Sequence, residues 1–491
     1  MDRSLSSEVL CQLPRGLAPL PYDRSETSIG IVHFGPGGFH RAHQAAYTDS
    51  ILSIDPSWAI CGVSLRSSNL RDAISRQDNL YTLAILDEKT EYRLIGAIKE
   101  LLVAPENPDA VLTKLTDKDV RIVTATITEK GYCLTLGGDL DMEHHDIIHD
   151  LSNSSSPRTF IGYIVEGLRR RREAGFAPFI PISCDNLAEN GKHLKKSVLQ
   201  FANIVDPKLA TWIESKVAFP CTMVDSITPA TDDSLRNQVN SDLGITDKWP
   251  ISREPFTQWV IEDVFANYPV PPWDQVGVTF TQDVRPYEEA KLRLLNGCHS
   301  ALAYIGTLAG EETVAGAMAL PEISTYITQM MREEICPGLG APDGMELETY
   351  CQAIRDRFTN PNIEYRLSQI AGDSSQKIPF RLLQTIEDNL NKGRSIKLLS
   401  LAVAAWMGFC IRAVQNNLPI NDPVKDQILA IACNTTGNAE HDVSLFLELE
   451  EMFPTQLSTK FGFKESLTAA YEALTEGNRQ SLLSSLTGEY D

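Results

Sequence analysis

Residues 28–43 read Ser-Ile-Gly-Ile-Val-His-Phe-Gly-Pro-Gly-Gly-Phe-His-Arg-Ala-His, an apolar run that passes through a glycine-rich turn into residues with helical spacing. Strand, glycine turn and helix together are typical of the phosphate-binding start of a dinucleotide fold, because a pyrophosphate must approach bare backbone amides at a helix N-terminus. His40 occupies the third glycine position of G-x-G-x-x-G, so an ordinary structural turn remains an alternative. The predicted cofactor contacts in this turn are Gly35, Gly37, Gly38 and Phe39.

A second strand-like run, residues 58–66, follows at the distance expected for a βαβ unit. NAD-specific sites usually carry an acid at the end of this strand for the ribose 2′-hydroxyl, whereas NADP sites offer an arginine to the 2′-phosphate. Here the strand ends at Arg66, and the next acid is Asp72. Arg66 is therefore a candidate cofactor residue, with NAD expected and NADP not excluded.

Later strands end in polar residues, where open α/β sheets place functional side chains. The β-branched run 120–128 predicts a central strand whose end, with Thr128 and Lys130, faces the nicotinamide side of the crevice. Run 179–184 leads into Asp185 and Asn186, for which a helix cap is the competing role, and run 219–225 ends in Asp225. The patterns at 80–86 and 91–98 predict a hairpin inserted in the sheet.

From Pro286 onward the apolar spacing is almost continuously helical. The sequence therefore predicts an α/β protein with two domains. Residues 1–285 form a Rossmann-type dinucleotide-binding domain with inserted strands, and residues 286–491 form a largely all-α domain for substrate binding and catalysis.

Residues 288–301, at the start of the second domain, carry an amine, an amide and an imidazole on one predicted helix. In a regular α-helix, Asn296 would lie roughly 140° around the axis from Lys291. Lys291 could act as a base if burial lowered its pKa, Asn296 could donate to a developing oxyanion, and His299 could hold a hydroxyl. The alternative is a surface helix whose charged residues are solvated.

Composition and charge disfavour some classes of function and favour others. A formal charge of −21 and a pI near 4.9 disfavour nonspecific binding to nucleic acid or to an anionic membrane surface. Ten cysteines without a CxxC pair, and no basic and apolar leader, favour a cytoplasmic protein with reduced thiols. The longest apolar run, residues 398–411, is interpreted as a buried helix, too short to span a bilayer.

His145 and His149 have the i, i+4 spacing that zinc-binding helices use. Histidines among acids are more often a solvated surface, and no metal site is predicted.

Several motifs follow one another along the chain: residues 35–43, 80–83, 128–132, 224–225 with 227–229, 258–263, and Lys291 with Asn296 and His299. In these motifs and their order, the chain resembles the polyol-specific long-chain dehydrogenase/reductase family over nearly its whole length. The resemblance implies a monomer that interconverts D-mannitol and D-fructose by hydride transfer with a nicotinamide cofactor and without a metal.

The same resemblance implies a role for each matching residue. Lys291 corresponds to the general base, and Glu288 to a carboxylate that passes the proton to solvent. Asn186 and Asn296 correspond to the two amides of an oxyanion hole. His299, Asp225 and Lys377 correspond to residues that hold the substrate.

Two positions depart from the family pattern. Ser226 and Gln369 stand where arginines are usual, with Arg366 and Arg381 as candidate substitutes for holding the far end of the substrate. Other functions stay open. Another polyol dehydrogenase of the same family, or a fructuronate (sugar-acid) reductase, would share the fold, and the reductase would recruit additional arginines for its carboxylate substrate. A nucleotide-binding protein without catalysis is the alternative from a different class.

Overall fold

The computed structural model describes residues 4–8, 16–135, 137–266, 268–475 and 479–487. The chain forms two compact units, Met1–Arg285 and Pro286–Asp491. The first is an α/β unit and the second is helical. This is the predicted fold class.

The first unit is built on a five-stranded sheet in which every strand pair is parallel. Its spatial order is Ile98–Val103, Ala59–Ser64, Ile29–Phe34, Ile122–Ala125 and Ile180–Ser183. In chain order this is 3-2-1-4-5, with the first strand in the middle, as in a doubly wound dinucleotide fold. The ends of strands 1 and 4 therefore lie side by side at the point where the strand order reverses.

Both faces of this sheet are buried, because successive side chains of a strand point to opposite faces. Val32, Phe34 and Val63 pack on one face against the helices Pro108–Thr116, Phe160–Glu173 and Asn190–Val205. Ile31, Ile60 and Ile122 pack on the other face with the apolar residues of Gln44–Ile51. The continuous apolar runs of the sequence follow from burial on both sides.

The predicted hairpin is real, but its placement in the main sheet was wrong. Tyr81–Ile85 and Glu91–Ile95 pair antiparallel within a separate four-stranded sheet that also contains Leu17–Ala18 and Ile251–Arg253. The pattern predicted over 91–98 divides at Gly96 and Ala97, and the main sheet receives only the strand that begins at Ile98. A third sheet joins Thr222–Asp225, Gln258–Glu262 and Thr279–Thr281.

The remaining helical elements of the first unit connect and cover these sheets. The α-helices are Gly38–Ala42, Asn69–Ile74, His145–Ser152, Pro207–Lys216 and Asp233–Leu243. Short 3-10 turns occur at Pro56–Trp58, Ser75–Gln77, Glu129–Tyr132 and Trp273–Val276.

The second unit is a helical assembly. Its α-helices are Arg285–Ala290 (whose first residue ends the first unit), Gly297–Leu308, Val314–Met318, Pro321–Gln329, Leu347–Thr359, Leu367–Ala371, Ser374–Ile378, Gln384–Asn391, Lys397–Gln415, Lys425–Cys433, Ala439–Leu447, Thr455–Ser458, Phe463–Thr475 and Arg479–Thr487. Three π-helical segments, Lys291–Asn296, Met330–Ile335 and Pro379–Leu383, interrupt them, and Cys336–Gly338 is a 3-10 turn.

Helix Lys397–Gln415 contains the longest apolar run. The helix has 19 residues and so extends beyond the apolar run, and it is long and apolar enough to cross a membrane by length and composition, so the prediction that it is too short was wrong. Most of it is buried within the unit, including Leu401, Ala405 and Trp406. The interpretation as a buried core helix is confirmed.

Candidate active site

The glycine turn follows the central strand of the first unit directly. Gly35 has φ +81°, and a Cβ there would lie 2.3 Å from the carbonyl oxygen of Thr126. Position 35 therefore requires a glycine, both because its φ is positive and because a side chain would collide with the neighbouring strand. At Gly37 a Cβ would meet nothing nearer than 3.8 Å, so the space beside it is open. Gly37 precedes helix Gly38–Ala42 and provides no side-chain cap. The turn thus fits a pyrophosphate, for which a side chain would be an obstacle.

His40 explains the incomplete glycine pattern. Its ring stacks on that of His33 with centroids 3.3 Å apart, and both rings are buried. The third glycine of the usual pattern permits close packing of helix on strand. In this chain two flat rings fill that contact. Burial lowers the pKa of His33 to about 3 and the pKa of His40 well below its usual range, so both rings are neutral.

Arg66 lies exposed, two residues beyond the end of strand Ala59–Ser64. The nearest acid in sequence, Asp72, accepts hydrogen bonds from Ser68 at 2.6 Å and from Arg71 at 2.8 Å. Arg71 also pairs with Glu106. The carboxylate of Asp72 is thus engaged by its own neighbours.

The turn after strand Ile122–Ala125 is held by Asp185. Its carboxylate accepts hydrogen bonds from the backbone amides of Thr128 at 2.7 Å and Ile127 at 3.1 Å, and from the Tyr132 hydroxyl at 2.7 Å. Thr128 has φ +64°, a conformation that costs a non-glycine residue free energy and persists where surrounding contacts impose it. Asp185 therefore fixes the backbone at Thr128, and Lys130 lies exposed in the same turn. The role of Asp185 was not predicted.

Asn190 was also missed. Its buried amide nitrogen donates to the carbonyl oxygens of Asp185 and Thr222, and its amide oxygen accepts from the backbone of Thr222 at 2.9 Å. These bonds join the end of strand Ile180–Ser183 to the start of strand Thr222–Asp225, which belongs to a different sheet, and they hold the backbone next to Asn186. A lone asparagine at the start of a helix gives no sequence signal for partners 32 residues away.

Asn186 is exposed, and Asp225 is buried at the end of strand Thr222–Asp225. Ser226, at the first departure from the family pattern, donates to the carbonyl oxygen of Phe256 at 3.0 Å. Ser226 therefore binds a neighbouring loop, and it lacks the positive charge of the arginine that is usual at this position.

In the second unit, Lys291 and Asn296 are the first and last residues of a π-helical segment. The prediction of a regular α-helix was wrong here. A π-helix bonds i to i+5, so residues five apart lie close to the same face. The wider turn therefore removes most of the expected angular separation. Asn296 and His299 are three residues apart and share a face of the following helix. Lys291 and Asn296 are partly buried, and His299 is buried.

The neighbouring π-helical segment Pro379–Leu383 packs closely against this turn. A Cβ at Gly297 would lie 2.9 Å from the carbonyl oxygen of Arg381, so glycine is needed for the approach. The guanidinium of Arg381 lies 3.3 Å from the Ser300 hydroxyl and 3.5 Å from the Asn296 carbonyl oxygen. Burial lowers the pKa of Arg381. Of the two candidate arginines, Arg381 thus places its positive charge beside Asn296. Arg366 is exposed and pairs with Glu364 instead.

The other predicted residues of this unit lie near these elements. The His299 ring contacts Phe358, with centroids 4.5 Å apart, and Tyr365 at 5.1 Å. Lys377 donates to the Gly372 carbonyl oxygen at 2.6 Å, and burial, with a smaller contribution from Arg381, lowers its pKa. Glu288, one turn before Lys291, is partly buried. Gln369, at the second departure, is exposed.

The histidine-rich segment differs from the zinc pattern considered. His149 pairs with the buried Asp150 at 3.0 Å. The described residues instead bring His144, His145 and Asp146 within 4.8 Å of one another, with His145 exposed. Exposed groups of this kind are common without an ion.

Comparison with known proteins identifies both units. Residues 29–275 match the mannitol dehydrogenase Rossmann domain, and residues 283–475 match the mannitol dehydrogenase C-terminal domain. The chain belongs to the mannitol dehydrogenase family. It is therefore an oxidoreductase, and the family resemblance drawn from the motifs is confirmed.

Three similar proteins illustrate how much of the chain is matched. The chain is 41% identical to a D-mannonate oxidoreductase of Escherichia coli, covering 95% of this chain and 97% of that one. It is 38% identical to a mannitol 2-dehydrogenase of Phaeosphaeria nodorum, covering 96% and 83%. The structure of Pseudomonas fluorescens mannitol 2-dehydrogenase in a ternary complex with NAD and D-mannitol is 38% identical, with a TM-score of 0.82 over 98% of both chains.

Proposed function

We propose that this member of the mannitol dehydrogenase family interconverts D-mannitol and D-fructose by hydride transfer with NAD. The observation that carries the proposal is the π-helical turn, which brings an amine and an amide toward one face, followed by the buried imidazole of His299. These are the group types that a metal-free alcohol oxidation needs for proton removal, charge stabilisation and orientation. The ternary complex of the Pseudomonas fluorescens relative supports the choice of polyol and cofactor.

The glycine turn and the strand ends of the first unit are proposed to hold the cofactor. Gly35, Gly37, Gly38 and Phe39 would face the pyrophosphate, because the open space at Gly37 suits a group that approaches the backbone closely. Thr128 and Lys130 would lie on the nicotinamide side, on the turn that Asp185 fixes. When bound, NAD supplies the hydride acceptor.

Each residue of the second unit then acts on the substrate hydroxyl. In its neutral form Lys291 takes the hydroxyl proton, and Glu288, one turn earlier, passes it to solvent. Asn296 donates to the alkoxide oxygen, and Asn186 keeps its family assignment as the second donor. His299, held by its aromatic contacts, orients the reacting hydroxyl.

Asp225 and Lys377 are proposed to bind the remaining hydroxyl groups of the substrate. The acidic charge, and the free thiol state of every cysteine in the described residues, support a cytoplasmic protein that binds neither nucleic acid nor membrane. We propose a monomer.

The decisive experiment follows the absorbance of reduced nicotinamide. Mannitol and mannonate are assayed with NAD and with NADP, and fructose and fructuronate are assayed with NADH and with NADPH. Turnover with mannitol and fructose at least tenfold above that with the sugar acids is the result expected. Turnover confined to the sugar acids would contradict the polyol assignment while leaving the family intact.

A sugar-acid substrate is the second candidate, and two observations favour it. The Escherichia coli relative at 41% identity is a D-mannonate oxidoreductase. Arg381 places a guanidinium beside Asn296, and a guanidinium binds a carboxylate with charge-assisted hydrogen bonds. Under this alternative, Arg381→Met would raise KM for fructuronate about tenfold or more and leave KM for fructose within about twofold. Equal effects on both substrates would exclude a carboxylate-specific role.

We expect NADPH to bind with an affinity within about tenfold of that of NADH. Arg66 is exposed where a 2′-phosphate would lie, and Asp72 is engaged by Ser68 and Arg71. Arg66→Ala should weaken NADPH binding about tenfold, the size of a lost charge-assisted hydrogen bond, without changing NADH binding. Calorimetric titration of both nucleotides without substrate measures this.

Ser68→Asp is the matched variant for cofactor choice, because it adds an acid near the predicted ribose end and should favour NADH. A wild-type protein that does not bind NADPH, or an Arg66→Ala protein that loses both nucleotides equally, would contradict the assignment of Arg66.

EDTA is expected to leave turnover unchanged after prolonged incubation, because the proposed proton transfer and charge stabilisation use side chains. Assaying the dialysed protein with and without added zinc provides the measurement. A loss that zinc restores would instead point to His144, His145 and Asp146 as a functional metal site.

A further inference from the structure

Two thiols of the second unit lie in direct contact. The Sγ atoms of Cys336 and Cys351 are 3.5 Å apart. Cys336 follows the π-helical segment Met330–Ile335, and Cys351 lies on helix Leu347–Thr359. Disulfide formation needs the sulfurs to approach to about 2.05 Å, a movement of about 1.5 Å.

A second contact holds the same two elements together. Arg332 pairs with Glu348 at 2.5 Å, and these residues lie about one helical turn before Cys336 and Cys351 respectively. The cysteines are therefore brought into register by an ion pair as well as by their own contact. The intervening segment, residues 337–350, is largely exposed and includes Gly338, Gly340 and Gly344, so it can follow a small movement of its ends.

The two thiols differ in environment. Cys336 is partly exposed, whereas Cys351 is buried. The hydrogen bond from Cys351 lowers the pKa of Cys336, and the same bond, with burial, raises the pKa of Cys351. A partly exposed thiol that ionises readily beside a second, protected thiol is the arrangement of a peroxide-reactive cysteine with its resolving partner.

We propose that Cys336 and Cys351 form a redox site that hydrogen peroxide converts to an intramolecular disulfide. The Cys336 thiolate attacks one peroxide oxygen, the O–O bond breaks, and Cys336 becomes a sulfenic acid. The Cys351 sulfur then attacks the Cys336 sulfur, the S–O bond breaks, and the oxygen leaves as water. Two thiols and one peroxide give one disulfide and two waters. The site does not depend on the proposed function.

Cys433 provides an internal control. Among the described cysteines, only Cys336 and Cys433 are not buried, and Cys433 lies alone at the end of helix Lys425–Cys433. If exposure alone determined oxidation, Cys433 would react first. If the pair determines it, Cys336 reacts first, because the contact with the Cys351 thiol stabilises its thiolate and supplies the resolving sulfur.

Peptide mapping of the intact, peroxide-treated protein tests the proposal. Trypsin leaves both cysteines on one peptide, residues 333–355, because no lysine or arginine lies between them before Arg355. Cleavage at Glu346 or Glu348 separates them, so the disulfide joins two peptides until dithiothreitol is added. We expect this linked pair at peroxide concentrations that leave Cys433 reduced.

Two variants assign the steps. Cys351→Ser should stop the reaction at the Cys336 sulfenic acid, which dimedone labels, and Cys336→Ser should leave Cys351 reduced. Cys433→Ser should not change the yield of the linked peptides. Oxidation of Cys433 before Cys336, or no linked peptides in the wild-type protein, would overturn the proposal. Circular dichroism of each variant establishes that it is folded.

Discussion

Lys291→Ala is expected to lower kcat for mannitol oxidation by about 10²–10⁴-fold near neutral pH, the usual contribution of a general base. Lys291 is partly buried, and the proposed step uses its neutral amine to accept the hydroxyl proton. NADH binding should be unchanged, because the proposed cofactor residues belong to the first unit. Steady-state kinetics at saturating mannitol and NAD, with calorimetric titration of NADH, measure the two effects separately.

Two further measurements separate a lost base from a damaged fold. Lys291→Met keeps most of the side-chain volume without the amine and should be as inactive as the alanine variant. Methylamine added to Lys291→Ala should restore part of the turnover, because a free amine can take the place of the missing one. Lys392, exposed after helix Gln384–Asn391, provides the matched control, and Lys392→Ala should keep full turnover.

Full turnover in Lys291→Ala would contradict its assignment as the base. Loss of NADH binding together with activity would indicate a general structural defect instead.

Ile98–Val103 was not predicted as a strand of the main sheet. The other four strands could be predicted from the sequence because they are buried on both faces. Such strands are continuous apolar runs, and the glycine turn marks the first of them. The hairpin at Tyr81–Ile85 and Glu91–Ile95 shows the limit of this approach. Alternation identifies a strand and its local partner, but the outer partners Leu17–Ala18 and Ile251–Arg253 lie far away in sequence. Nothing in the local pattern indicates which sheet the hairpin joins.

The same distance in sequence explains the site residues that were missed. Asp185 was considered as a helix cap, but its partners at Ile127 and Thr128 lie more than fifty residues earlier. Asn190 fixes two strand ends through bonds that no spacing predicts. Polar side chains at strand ends could be proposed as site residues from the sequence, whereas the buried polar groups that hold the backbone beside them could not be identified.

The π-helical segment was missed for a different reason. Apolar spacing around Leu294 and Leu295 fits a helix whether or not one turn is wider. The wider turn is accompanied by the close packing of Pro379–Leu383 against Gly297. That tertiary contact cannot be predicted from the sequence of the helix alone. The predicted residues were therefore retained while their relative orientation changed.

The orientation of Asn296 in the π-helical segment is the basis for the second prediction, which concerns substitution of Asn296. In a regular helix the Asn296 amide would point away from Lys291, but in the π-helical turn the two side chains lie toward one face, as the proposed action on one hydroxyl requires. Asn296→Ala should lower kcat by about 10²–10³-fold, the cost of one oxyanion donor, with little change in KM because the alkoxide forms only in the transition state. Asn296→Asp keeps the size of the side chain but replaces the donor by an acceptor, so steady-state kinetics should find it no more active than the alanine variant. An active Asn296→Asp would show that packing, rather than hydrogen-bond donation, is what the position requires.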